Sequence, residues 1–121
     1  MTRNREAEAF FAPLSSHSDV ASAFRDALRR LGDYDVLEAP REYGALFAVT
    51  ADAIFAGAAG MASTYWRLSS TDRAIALATG AKEAEKLGPE WVEIILFRND
   101  WPNPDLPHWA LCAYRYARAR R

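Results

Sequence analysis

His108 and Cys112 stand four residues apart, the spacing that puts two side chains on one face of a helix. A thiol beside an imidazole could form a nucleophilic dyad, and both groups ligate metals. The dyad needs a thiolate held near a positive group. A metal needs further ligands, and only His17 and scattered carboxylates are on offer. A lone cysteine is more often a buried, inert side chain, and His108, in the first turn of its expected helix, is read as facing solvent. Asp100, Asn103 and Asp105 bring oxygen ligands into one loop. A calcium loop also requires a central Gly and a distant Glu, whereas Pro102 and Pro104 stiffen a helix entry here. Ser15, Ser16, Ser69 and Ser70 lie in no nucleophile elbow, and no Gly-rich phosphate loop with Lys followed by Ser or Thr is present. No catalytic residue, metal or cofactor is therefore assigned.

Glu93 lies inside the apolar run Trp91 to Phe97, so its carboxylate must reach an edge or find a partner. Alternation places Ser63, Tyr65 and Arg67 on one face of a strand, and Trp91, Glu93, Ile95 and Phe97 on one face of another. If the faces coincide, Tyr65, Arg67, Trp91 and Glu93 form a polar cluster with aromatic walls, as small-ligand sites do. Tyr65 and Arg67 are then the expected partners of Glu93, and an ordinary salt bridge at the sheet rim is the plainer reading. Arg115, Arg118, Arg120 and Arg121 leave the last eleven residues with four positive charges and no negative one. They could touch phosphates, but cations at a helix carboxyl end also satisfy its dipole, and no recognition motif accompanies them. Nucleic acid is not the expected partner.

The elements that must hold these groups follow from periodicity. Ala7, Phe10, Phe11 and Leu14 recur at helical spacing before Pro13 bends the chain, and residues 1–17 are read as a leader of loose order. Val20, Phe24, Ala27, Leu28 and Leu31 form one apolar stripe, with Ser18 as cap, Arg29 and Arg30 in the last turn and Gly32 as stop. Strands are expected at Tyr34 to Glu38, Ala45 to Thr50, Ala53 to Ala58 and Ala62 to Leu68, with a hairpin turn at Thr50 to Ala53. An Ala-rich helix over 45–60 is the rival, disfavoured because Gly57 and Gly60 each cost about 1 kcal/mol in a helix. Ser69 and Asp72 form a capping box for a helix reaching Gly80, with Ile75, Ala76 and Thr79 inward. Ala81 to Leu87 is assigned a last helical turn before Gly88 and Pro89. Trp91 to Phe97 is too continuous for a half-exposed strand and is expected at the centre of the sheet, covered on both faces. Asn103 caps a helix beginning at Pro104, on which Leu106, Trp109, Ala110, Ala113 and Tyr116 or Ala117 face the sheet.

The chain has 121 residues, 50% of them hydrophobic and 12% aromatic, with four Trp. That is core material for one domain and rules out a disordered tail. Its net charge of −1 supplies no broad electrostatic pull toward nucleic acid or acidic membranes. One cysteine excludes an internal disulfide, and no apolar stretch reaches the roughly 18 to 20 residues of a membrane span. The opening residues are too acidic for a secretory signal. A cytoplasmic location with no membrane partner is expected.

Taken in order, Ala45 to Ala58, the strand Thr64, Tyr65, Trp66, Arg67, Leu68, and Trp91, Val92, Glu93 followed by Leu106, Trp109 and Tyr114 resemble the amino-terminal domain of TfoX. MmcQ/YjbR-like domains and the luciferase-associated domain of unknown function share the plan. The resemblance spans Asp19 to Arg118 and rests on apolar and turn residues. It implies a small α+β domain of regulatory or uncharacterised context, with no catalytic residues to carry over. The expected architecture is a single α+β domain over 1–121, a small antiparallel sheet with amino-terminal and carboxyl-terminal helices packed on it. The expected function is non-catalytic binding, by protein or self association. A small-ligand site at Tyr65, Arg67 and Glu93 is the first alternative and a nucleic-acid accessory role the second. Trp66 and Trp101 are the candidate contact rings, and a symmetric homodimer is the expected assembly.

Overall fold

A computed structural model describes residues 4–98 and 101–119. Four helices, α1 (Arg5–Phe11), α2 (Ser18–Leu28), α3 (Ser70–Ala78) and α4 (Leu106–Ala119), surround an antiparallel sheet. Its strands are β1 (Asp35–Glu38), β2 (Leu46–Thr50), β3 (Ala53–Ala59), β4 (Ser63–Arg67), β5 (Lys82–Glu83) and β6 (Trp91–Ile95), in the order β1-β2-β3-β4-β6-β5. A separate hairpin joins β7 (Phe97–Arg98) to β8 (Trp101–Pro102). The fold is α+β, as the periodicities indicate.

Strands, not an Ala-rich helix, occupy 45–60. Ala51 and Asp52 turn the β2–β3 hairpin with φ of 51° and 62°, the left-handed pair that a two-residue hairpin loop requires. The register shifts between Ala48 and Val49, which pair with Ala56 and Ile54 respectively. That bulge lets both Phe55 and Ala56 enter the core shared with α2 and α4, while Ile54 joins the opposite core. The Asn4 carboxamide attends to the bulge, accepting the Ile54 N–H at 2.8 Å and donating to the Ile54 carbonyl at 3.4 Å.

Both faces of the sheet are covered. On one, α2 and α4 bury Phe24, Phe55, Trp66, Val92, Leu96 and Trp109. On the other, α1 buries Ala7 and Phe11 against Phe47, Ile54 and Trp91. The Phe11 ring occupies the space over Gly57, where any Cβ would run into it. Ser15 and Ser16 then bridge to Gly44 and Gly60 and carry the chain across the sheet end to α2.

Several boundaries differ from the periodic reading. His17, not Ser18, caps α2, its Nδ1 accepting the Asp19 N–H at 3.1 Å. That helix ends at Leu28, so Arg29 and Arg30 follow it. On α3, Ser69 caps as expected, accepting the Asp72 N–H at 3.2 Å. Gly80 closes α3 with a Schellman pair, Ala81 N–H to the Ala76 carbonyl and Gly80 N–H to that of Leu77. Only Ala76 of the three residues expected inward is buried; Ile75 is 51% exposed and Thr79 exposed, because Leu77 turns to the core instead. Ala81 to Leu87 is not helical but supplies β5 and a turn, in which Ala84 and Leu87 are buried. Asn103 accepts the Asp105 N–H at 3.0 Å, and α4 starts at Leu106, two residues later than expected.

The run Trp91 to Phe97 is not one central strand covered on both faces. It breaks at Leu96, whose N–H donates to the Ala62 carbonyl at 2.7 Å and whose carbonyl accepts from Asn103 N–H at 2.6 Å. Beyond the break the chain turns into β7, leaving Ile95 49% and Phe97 37% exposed. On the side away from β4, the partner strand β5 meets only Val92 and Glu93, so strand pairing on that edge ends before Ile95.

Candidate functional site

The two strand faces coincide, since Tyr65 lies opposite Glu93, Arg67 opposite Trp91 and Ser63 opposite Ile95. The polar bonds, however, are not those expected. Glu93 Oε2 accepts from Ser63 Oγ at 2.8 Å. Arg67 turns to Glu90, donating from Nε at 3.1 Å and Nη2 at 2.8 Å to Oε1, while Tyr116 OH donates to Oε2. Glu90 is within reach because its carbonyl accepts the Leu68 N–H at the end of β4. The Arg67 guanidinium also lies 5.9 Å from the Tyr116 ring centroid. Tyr65 is edge-on to Phe10 and Phe11 at 5.2 and 5.8 Å, and Trp91 is edge-on to Phe11 at 6.4 Å. Burial, then the Glu93 charge, pushes the Tyr65 phenol above its ordinary range, opposed by the Ser63 hydrogen bond. The four residues thus come together as a cross-strand cluster, with α1 rings in the space beside them.

Concave surface lies elsewhere. A cavity of about 260 Å3 opens between the end of α3, β6–β7 and the start of α4, and Ile95, Phe97, Asp105 and Trp109 are among its walls. A larger groove of about 640 Å3 runs between the end of α2 and the start of α4, lined by Arg29, Arg30, Leu31, His108 and Leu111. Neither touches Tyr65, Trp91 or Glu93. Sequence reasoning missed the first cavity because it placed Ile95 and Phe97 inside the sheet. The Asn103-Pro104 helix entry beside them was the available signal.

The remaining candidates are accounted for by local structure. Cys112 Sγ lies 3.7 Å from His108 Nε2, and His108 is exposed with its ring edge-on to Trp109. Burial, then the Asp72 charge and its hydrogen bond, pushes the thiol up, with Arg115 opposing. That is the reverse of what a thiolate nucleophile needs. Among the described residues no group of three or more His, Cys, Asp or Glu is placed to hold a metal ion. Ser16 Oγ donates to the Gly44 carbonyl at 3.0 Å. Arg118 donates to Thr50 Oγ1 at 2.9 Å, is 3.5 Å from Asp33 Oδ2 and lies over the Tyr114 ring. Asp100, Arg120, Arg121 and the Trp101 side chain lie outside the described residues. Trp66 is not a surface ring: it is fully buried, its indole N–H donating to Thr64 Oγ1 at 2.9 Å. It sits on the sheet face that α2 and α4 cover.

No protein-family model, curated protein or solved structure matches this chain. Among the described residues no helix is long and apolar enough to cross a membrane.

Proposed function

We propose that this chain is a non-catalytic association domain, and that its contact surface is the β6–β7 end of the sheet. One observation carries this: Ile95 and Phe97, 49% and 37% exposed, line a concave site at a place where the pairing of β6 with β5 has ended. Ile75, 51% exposed, shares a helix face with Thr79, which lines the same cavity. Large apolar side chains gathered around a hollow are characteristic of interface centres. The regulatory contexts of the TfoX-like domains it resembles point the same way. A symmetric homodimer is the simplest assembly.

The rival readings have less support. Phe10 and Phe11 fill the space that a ligand beside Tyr65 and Trp91 would need, and Arg118 is engaged by Thr50 and Asp33. Sedimentation equilibrium at micromolar protein tests the proposal. The expected result is a mass rising with concentration from 13.5 kDa toward twice that value, abolished by Ile95→Lys. A monomer mass at every concentration defeats the homodimer.

A further inference from the structure

We infer that the free edge of β1 takes an added antiparallel strand from a partner protein whose sequence there runs basic, apolar, apolar, basic. Strand β1 closes the sheet at the end opposite β5. Among the described residues no backbone group bonds to its outer side. On its inner side the Ala39 N–H donates to the Ala45 carbonyl at 2.8 Å, continuing the register that sets Leu37 opposite Phe47 and Asp35 opposite Val49. Backbone direction alternates along a strand, so Asp35, Leu37 and Ala39 bond to β2 while Val36 and Glu38 turn their N–H and carbonyl groups outward. Such a row of unpaired groups is a template for another strand.

Side chains select the strand. Val36 and Leu37 are half-buried, the first packed against the core under α2 and α4 and the second against the core under α1, so an apolar pair in the added strand extends both. Asp35 and Glu38 are exposed and have no ion pair among the described residues. The cations near either end of the strand are committed. Arg118 is held by Thr50 and by Asp33, which precedes β1, and Arg41, which follows it, donates to the Pro13 carbonyl. An antiparallel strand therefore fits best with a cation opposite Glu38, apolar residues opposite Leu37 and Val36, and a cation opposite Asp35. A second copy of β1 does not supply this. Self-pairing centred on Val36 or on Leu37 sets Tyr34 or Val36 opposite Glu38, and Leu37 or Ala39 opposite Asp35. The edge lies at the other end of the sheet from the β6–β7 association surface, so the inference stands independently of that reading.

The test is a titration of the whole, isotopically labelled chain with the peptide acetyl-Thr-Lys-Val-Ile-Lys-Thr-amide, followed by amide NMR. The expected result is saturable shifts at the Val36 and Glu38 amides, with slowed hydrogen exchange at both. The same peptide with Glu in place of both Lys should bind at least about tenfold more weakly. Methylating the backbone nitrogens of its first Lys and its Ile, which face β1 in this register, should abolish binding, whereas methylating those of its Val and second Lys, which face away, should preserve it. Asp35→Asn combined with Glu38→Gln should weaken the Lys peptide roughly three- to tenfold. Ile95→Lys should leave its binding unchanged. Equal binding of the Lys and Glu peptides, equal loss with the two methylation patterns, or no response at Val36 and Glu38 overturns the inference. So does a sedimentation mass that Val36→Pro lowers while the peptide goes unbound, a result that assigns the edge to a second copy.

Discussion

Tyr65 shows how one residue can be chemically perturbed without being a reactive centre. Its ring is edge-on to two phenylalanines and its hydroxyl lies near the Glu93 charge. Burial and that charge both disfavour phenolate and raise its pKa in the folded state. In the unfolded chain the phenol ionises near its ordinary value of about 10. Between that value and the higher folded one the folded state holds more protons, so stability falls as pH rises. Tyr65 therefore contributes its full share below pH about 10 and loses it above. The denaturant midpoint should drop between pH 8 and pH 11, and Tyr65→Phe should show a shallower drop. Identical slopes for the two proteins would mean that the phenol is as free to ionise folded as unfolded. Alternation put Tyr65 with Arg67 on one strand face and Glu93 with Trp91 on another, and the pairing of β4 with β6 set Tyr65 opposite Glu93. Alternation could not show that Ser63 would take the carboxylate and that Glu90 would take Arg67, because those choices depend on side-chain reach across the sheet end.

At the scale of elements, the β2–β3 hairpin is the most exposed to test. Ala51 holds φ of 51°, a conformation that costs an L-residue roughly 1 to 2 kcal/mol. Ala51→Gly should therefore raise stability by about 0.5 to 1 kcal/mol, after the larger entropy of the unfolded glycine is charged against it. Ala74, exposed in α3, is the control: Ala74→Gly should lower stability by about 1 kcal/mol. Midpoints moving in the same direction for both would remove the left-handed turn. Helices α2 and α4 were legible because a single buried stripe repeats along each, Val20, Phe24 and Leu28 in one and Leu106, Trp109 and Ala113 in the other. The helical turn assigned to Ala81–Leu87 failed because Ala84 and Leu87 are buried by their neighbours rather than by a helical face.

For the whole molecule, α1 is part of the core. Phe11 is fully buried and sits over Gly57, in contact distance of Phe47, Tyr65 and Trp91. Phe11→Ala should cost about 3 to 5 kcal/mol, as for other buried large aromatics. Gly57→Ala should also destabilise, since the added methyl meets the Phe11 ring. The two changes should be markedly less than additive, because removing the ring makes room for the methyl. Strict additivity in denaturant midpoints would show that Phe11 does not occupy that notch.

Local order along the chain determined what side-chain direction and backbone chemistry report: two amphipathic helices, the Ser69 cap, the Gly80 stop, the hairpin at 50–53 and the common face of Tyr65 and Arg67 along one strand. Each depends on residues within a few positions, so periodicity and turn chemistry suffice. Tertiary structure alone decided that α1 would plug Gly57, that the apolar run would break at Leu96 and that Ile95 and Phe97 would emerge beside a cavity. Those outcomes turn on which segment lies across a face and where its cover stops. An apolar side chain carries the same hydrophobic drive whether or not a neighbour arrives to bury it.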